Sequence, residues 1–247
     1  PDGRCGRVLS AEEQHGWRKE VLRAVEETYD VVVCGGGLAG FCAAVAAARE
    51  GASVCLVHDR PVLGGNSSSE IRVPPQGAAS FHAYARETGI IHELLTEERA
   101  VNHTDPTGDN GWTNSIWDLV LYNMAVTTPR LKVHLNTAVT NVVMRDERTV
   151  EAVVARISQA DTELVLRGTV FIDCTGDGTV AALAGCEWRM GTEGREEFGE
   201  PHAPEHASAD VMGSSIHFRA RDMGRPVPFT APEWAVKYDD PDFFYKI

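Results

Sequence analysis

Three glycines, Gly35, Gly37 and Gly40, stand at G-x-G-x-x-G spacing inside the run Gly35-Gly36-Gly37-Leu38-Ala39-Gly40. Each has its own physical use. The first permits a tight turn, the second lets backbone approach a pyrophosphate, and the third lets a following helix lie close against the preceding strand. The N–H groups opening that helix carry a positive partial charge, so the chemistry on offer is anion binding. A second polar feature follows at His58 and Asp59. In such a unit an acidic side chain roughly 20 positions past the glycines accepts hydrogen bonds from ribose hydroxyls. Asp59 lies 24 positions after Gly35, but His58 takes the strand-end position itself. The ribose contact is therefore expected from Asp59, or from shared use of Asp59 and His58.

The elements around these residues agree with a dinucleotide-binding unit. Tyr29 to Cys34 (YDVVVC) is a β-branched run without a polar break after Asp30, as a strand buried on both faces requires. Phe41 to Glu50 is alanine-rich and helix-forming, Gly51-Ala52 closes it, and Ser53 to Val57 is the next strand. The second strand runs into Arg60-Pro61-Val62-Leu63-Gly64-Gly65-Asn66-Ser67-Ser68-Ser69-Glu70-Ile71-Arg72, a loop that a simple nicotinamide domain is not expected to carry. Far downstream, the strand-like Val170 to Cys174 leads into Thr175-Gly176-Asp177-Gly178 and a short helix over Thr179 to Ala184. A carboxylate at a strand's end, flanked by glycines that allow close backbone approach, suits recognition of a polyol.

On these motifs the chain resembles the FAD-dependent oxidoreductases with a glutathione-reductase-like fold, in particular a subgroup with an LGGNSSSEIR-type loop. The resemblance implies an α/β protein: a Rossmann-like FAD-binding domain with a central parallel sheet, a β-meander and a helical insert, followed by the start of a mixed substrate domain. It implies that Gly64, Gly65, Asn66 and Ser67 pass the pyrophosphate, ribityl chain and flavin ring, with Glu70 and Arg72 further toward that ring. It gives Asp177, beside Thr175 and Gly176, the ribityl or pyrophosphate end, and sets a strand near Ala138-Val139 beside the adenine. With Gly35, Gly36, Gly37, Leu38, Ala39, Gly40, His58, Asp59 and Arg60, these form the expected cofactor set. FAD is the expected cofactor, with a small polar substrate and a separate electron acceptor as partners.

Three segments are expected. Residues 1–28 form an N-terminal helical extension, because Trp17, Val21, Leu22 and Val25 recur at roughly helical spacing. Residues 29–190 form the FAD-binding domain with an insert over about 74–129, including helices at Ala83 to Glu98 and Ser115 to Val126. Leu131 to Leu135, Val139 to Met144, Val150 to Ile157 and Glu163 to Leu166 alternate in the manner of β segments, and the resemblance implies a meander there. Residues 191–247 form a linker and a partial substrate domain, with a strand over Ser214 to Ala220. The family's returning C-terminal strand and helix have no match, and the chain, which starts at Pro1 and stops at Ile247, reads as cut at both ends.

Composition sets limits. A formal net charge of −13 argues against nucleic acid or an anionic membrane as a partner. The longest uncharged stretch, Val31 to Ala48, is broken by glycines into strand, turn and helix, so no membrane span is expected. The six cysteines show no C-x-x-C spacing and read as small core hydrophobes in a reducing, cytoplasmic setting. No metal is expected. His82, His92 and His103 share no helical face, and His202 and His206 sit among Pro201 and Pro204.

The catalytic group is not identified by sequence; Arg72, His82 and His217 are the candidates. Arg72 is expected either to hold a substrate anion or to pair structurally with Glu70. Two other functions remain open: an FAD-binding module that needs further chain or a partner for activity, and an NAD(P)-dependent dehydrogenase.

Overall fold

A computed structural model describes residues 23–75, 88–102, 114–213 and 222–236. Contacts divide the chain into a unit over 1–212 and a second over 213–247, later than the boundary expected at 190. The predicted Ser214 to Ala220 strand lies outside the described residues, and the described part of the second unit, 222–236, contains neither helix nor strand.

The first unit is built on one six-stranded sheet in the order β3-β2-β1-β6-β5-β4. Its strands are β1 (Arg23–Cys34), β2 (Val54–Val57), β3 (Leu131–His134), β4 (Thr137–Asp146), β5 (Thr149–Ile157) and β6 (Thr162–Asp173). Strands β3, β2, β1 and β6 are mutually parallel, while β4, β5 and β6 form an antiparallel meander. The helices are α1 (Leu38–Arg49), α2 (Gly89–Val101), α3 (Ser115–Thr127), α4 (Thr179–Leu183) and α5 (Arg195–Phe198).

Two cores cover the two faces of the parallel strands. On one, Phe41, Ala44 and Val45 of α1 pack with Val33, Val54 and Leu56 and with Leu94, Leu95, Trp117 and Leu121 from α2 and α3. On the other, Val142 and Val153 of the meander meet Val32, Cys34, Cys55 and Val57. This double burial explains why β1 and β2 read as continuous apolar runs. The insert's two helices are thus a layer of the fold.

Two expectations change here. Residues 23–28 are strand, not helix: Val25, Glu27 and Tyr29 alternate with exposed neighbours, and Arg23 to Gly168 pairing along β6 supplies the backbone partners. Period two wins over an apparent helical spacing because a long neighbouring strand is available, with Arg23 opposite Thr162 and Tyr29 opposite Gly168. The remainder of the predicted N-terminal helix lies outside the described residues. Similarly, Glu163–Leu166 and Val170–Cys174 belong to one strand: β6 runs unbroken past Gly168, pairing with β5 along its first half and with β1 along its length. A Cβ at Gly168 would lie 3.0 Å from the Val32 side chain, so glycine there lets β6 pack closely against β1.

Candidate functional site

The parallel strands all end at one edge of the sheet, and there a cleft of about 620 Å³ opens. The loops after β1, β2 and β6 build its walls, the position at which open α/β sheets hold ligands. Its lining includes Gly35, Gly37, Leu38 and Ala39 from the first loop, His58, Asp59 and Arg60 after β2, and Gly64, Gly65, Asn66 and Ser67 beyond them. Val139 and the segment Thr175, Gly176, Asp177 close the far side. Of the predicted cofactor set only Gly36 and Gly40 stand behind this surface.

The three motif glycines do different work. Gly35 has φ +101, and a Cβ would fall 2.0 Å from the Cys174 carbonyl oxygen, so the turn presses directly against the end of β6. A Cβ on Gly40 would fall 1.9 Å from the Gly35 carbonyl oxygen, which is the close seating of helix on strand. Gly37 is different. Its φ of −61 and ψ of 173 suit any residue, and an added Cβ would meet only the Gly65 Cα at 4.0 Å. No described residue requires glycine there, and the space above it is open to the cleft.

Gly37 caps α1 without a side chain, and no acidic residue occupies the first turn. The N-terminus of this 12-residue helix is thus left with an uncompensated positive end facing the cleft. The short α4 contrasts with it. Thr175 Oγ1 accepts from the Thr179 N–H at 2.7 Å and Asp173 accepts from the Ala181 N–H at 2.9 Å, so internal groups fill its first turn. Burial would raise the Asp173 carboxyl, but hydrogen bonds from Thr175 and from the helix N–H groups outweigh it and hold it below its ordinary range. Asp173 was not singled out by sequence, since it reads as the last residue of a strand; its D-x-T spacing was the available signal. Asp177, by contrast, is exposed on the cleft.

The loop after β2 is pinned from three sides. Gly64 donates to the Gly36 carbonyl at 2.8 Å, joining the two glycine loops. Trp117 Nε1 donates to the Ser67 carbonyl at 2.7 Å. Asp118 accepts from the Ser69 N–H at 3.0 Å and from its hydroxyl. Held in this way, Ser67 Oγ is buried without any hydrogen-bond partner. A buried hydroxyl is normally satisfied, so this one, on a residue of the cleft wall, keeps its hydrogen-bonding capacity unused within the protein.

His58 is buried, and its ring faces backbone: Nδ1 accepts from the Gly36 N–H at 3.0 Å, and Nε2 lies 3.0 Å from the Val62 carbonyl. Burial keeps the ring neutral below its ordinary value, against the opposing pull of Asp59. Both nitrogens are thereby engaged, which leaves the exposed Asp59 carboxylate as the polar group turned to the cleft at this strand end. Glu70 pairs with Arg60 at 2.9 Å, so the pairing weighed for Arg72 goes elsewhere. Arg72 holds φ +67 and its Nε donates to the Ser69 carbonyl at 3.0 Å. His82 and His217 lie outside the described residues, and His92 is on α2, away from the cleft lining.

Away from the cleft, Glu27, Cys55 and His134 bring three possible ligand atoms within 4.8 Å of one another. Lys132 Nζ already lies 2.5 Å from Glu27 Oε1, and Tyr29 donates to Oε2 at 2.7 Å, so the carboxylate is balanced within the protein. Burial pushes the Cys55 thiol up and raises Cys34 to about 12, as inert core thiols require.

The chain belongs to the FAD-dependent oxidoreductase family, whose model matches residues 30–245. FAD is accordingly its cofactor, and the Gly37 space, the α1 N-terminus and the unpaired Ser67 hydroxyl fit that group. Among individual relatives, the chain is 52% identical over 44 residues to a fumarate reductase (cytochrome) of Shewanella frigidimarina, a stretch covering 18% of this chain and 8% of that protein. The same identity and length hold for an NADH:fumarate oxidoreductase of Klebsiella pneumoniae, of which 5% is covered. Matches thus span only a small part of these relatives. Among solved structures, THI4 of Thermovibrio ammonificans aligns at TM-score 0.45 and 18% identity over 81% of this chain and 85% of that one. A geranylgeranyl bacteriochlorophyll reductase-like protein of Thermoplasma acidophilum aligns at TM-score 0.44 and 18% identity, over 66% and 43%.

Proposed function

We propose that this chain holds FAD for the oxidation of a small polar substrate, with hydride passing from a substrate C–H to the flavin and a second acceptor taking the electrons onward. Bound FAD supplies the hydride acceptor, while the protein supplies binding, orientation and electrostatics. The observation that carries the reading is the cleft at the carboxyl edge of the parallel strands, with the vacant face of Gly37 and the unpaired Ser67 hydroxyl on its walls.

In this reading the N–H groups opening α1 hold the pyrophosphate and Asp59 accepts from the adenosine ribose. Ala138 and Val139 flank the adenine, and Ser67 and Asp177 bind the ribityl chain. Asn66 and Ile71 border the ring end. Arg72 is the candidate for holding a substrate anion: Glu70 is paired with Arg60, and the guanidinium is steadied through Nε by Ser69.

A second reading is favoured by the titratable groups on the cleft. Among the described residues, His58 has both nitrogens engaged and Glu70 is paired, so the proton acceptor for substrate oxidation comes from outside this wall. The chain then binds FAD and relies on further residues for turnover. Anaerobic mixing of the FAD-loaded chain with a panel of small alcohols, sugars and hydroxy acids separates the two. Bleaching of the flavin band by one substrate class supports the enzyme reading. Full reduction by dithionite with no response to any substrate supports the second.

A further inference from the structure

The ring of His58 is clamped between two backbone groups of opposite kind. Gly36 presents an N–H to Nδ1, and Val62 presents a carbonyl oxygen to Nε2, each at 3.0 Å. A carbonyl only accepts and an N–H only donates, so both contacts are hydrogen bonds in a single protonation state: neutral imidazole carrying its proton on Nε2. The ring is 5% exposed, and its Cγ lies where a Cβ on Gly36 would come within 2.7 Å. Gly36 is therefore held by His58 on its N–H and by Gly64 on its carbonyl, between the two glycine loops that line the cleft.

We propose that neutral His58 is a positioning residue for the FAD cradle, and that protonating its ring breaks the hold on Gly36, loosens the glycine turn and weakens FAD binding. The inference rests on the FAD-binding role of this cleft. In the imidazolium form Nδ1 carries a hydrogen aimed at the Gly36 N–H, so an attraction becomes a clash of two donors. The charged groups around the ring are Asp59, whose Oδ1 is 3.4 Å from Nδ1, and Glu70 and Arg60. Asp59 and Glu70 favour the charged ring and Arg60 opposes it. Burial outweighs them, which keeps the ring neutral below its ordinary value of 6.5. A phosphate on the cleft would also attract a cation, but both ring nitrogens point at backbone and have no hydrogen to offer it.

The test is the FAD dissociation constant from pH 8 to pH 5, followed by flavin fluorescence, for the chain and for His58→Asn. Asparagine keeps an acceptor near the Nδ1 position and does not titrate. The chain should lose about tenfold in affinity toward the acid end, the worth of one lost buried hydrogen bond. His58→Asn should bind with little change across that range. A wild-type constant that stays flat or tightens with acid, or the same acid loss in His58→Asn, overturns the proposal. Ring nitrogen shifts from two-dimensional NMR of the wild-type chain give a readout free of both the variant's folding and FAD binding. A neutral ring protonated on Nε2 at pH 7 is expected, and an Nδ1–H tautomer or an imidazolium there overturns the proposal. If FAD does not bind at all, the cofactor assignment fails while the ring shifts still decide the tautomer.

Discussion

At the residue scale, Gly37 separates what the fold needs from what the ligand needs. Gly35 and Gly40 are fixed by contacts inside the protein, at 2.0 and 1.9 Å to carbonyl oxygens, so substitution there disturbs folding itself. Gly37→Ala adds a methyl only to the open cleft. As an N-cap change it should cost at most about 1 kcal/mol in unfolding free energy, yet weaken FAD at least about tenfold by occupying pyrophosphate space. Chemical denaturation and FAD titration of the same variant check both halves. Equal FAD affinity in Gly37→Ala would show that the methyl meets no ligand. The turn at Gly35 and the helix seating at Gly40 were legible because spacing alone encodes them. His58 was less so: its residue type suggested a ligand contact, and only the positions of Gly36 and Val62 reveal that both nitrogens serve the backbone.

At the scale of elements, α3 acts on the cleft through a loop some 50 residues earlier in sequence. Its helix begins with Asn114, whose Oδ1 accepts from the Ile116 and Trp117 N–H groups. That cap sets the helix start, so that Trp117 and Asp118 reach Ser67 and Ser69. Asp118→Ala removes the acceptor of two Ser69 hydrogen bonds and should destabilise the chain by about 2 kcal/mol. It should also weaken FAD, because the loop carrying Gly65 and Ser67 then loses its Asp118 tie at Ser69. Thermal unfolding with and without FAD measures both, and a variant with unchanged affinity would confine Asp118 to a structural role. The helix itself was read from its apolar stripe nearly to its ends. Its purpose was not, because a hydrogen bond between residues 49 apart leaves no periodicity in sequence. The β segments of the meander were legible for the opposite reason, since period-two alternation is local, but alternation could not say that Leu131 to Leu135 lies outside the meander, paired parallel with β2. The two runs Glu163 to Leu166 and Val170 to Cys174 were read separately, and β6 joins them through Gly168, a point of close packing on Val32.

At the scale of the whole molecule, the sheet is tied across its strands by Glu27. From β1 its carboxylate reaches Lys132 and His134 on β3, with Cys55 of β2 between them. Burial alone would raise this carboxyl, but hydrogen bonds from Lys132, Tyr29 and His134 bring it down to about 2 from 4.5. A lowered value means the stability it contributes is complete above 4.5 and is lost as pH falls toward 2. That contribution is about 3 kcal/mol at neutral pH. Urea midpoints measured from pH 6 to pH 3 should fall steeply for the chain and more gently for Glu27→Gln, which begins lower; parallel curves would contradict this account. No sequence pattern marked Glu27, which fell within a segment of apparent helical spacing. Overall charge was informative only by exclusion, since −13 is a statement about partners and solubility rather than fold.

The cleft at the carboxyl ends of β1, β2 and β6 is the proposed site of FAD. The most direct test of that assignment is the visible absorption spectrum of the purified chain saturated with FAD and freed of excess by gel filtration, with mass spectrometry of whatever heat denaturation releases. Flavin bands should travel with the wild-type chain in about equimolar amount and diminish sharply in Gly37→Ala. A folded wild-type chain that emerges colourless from FAD, or equal flavin retention by both proteins, would contradict it.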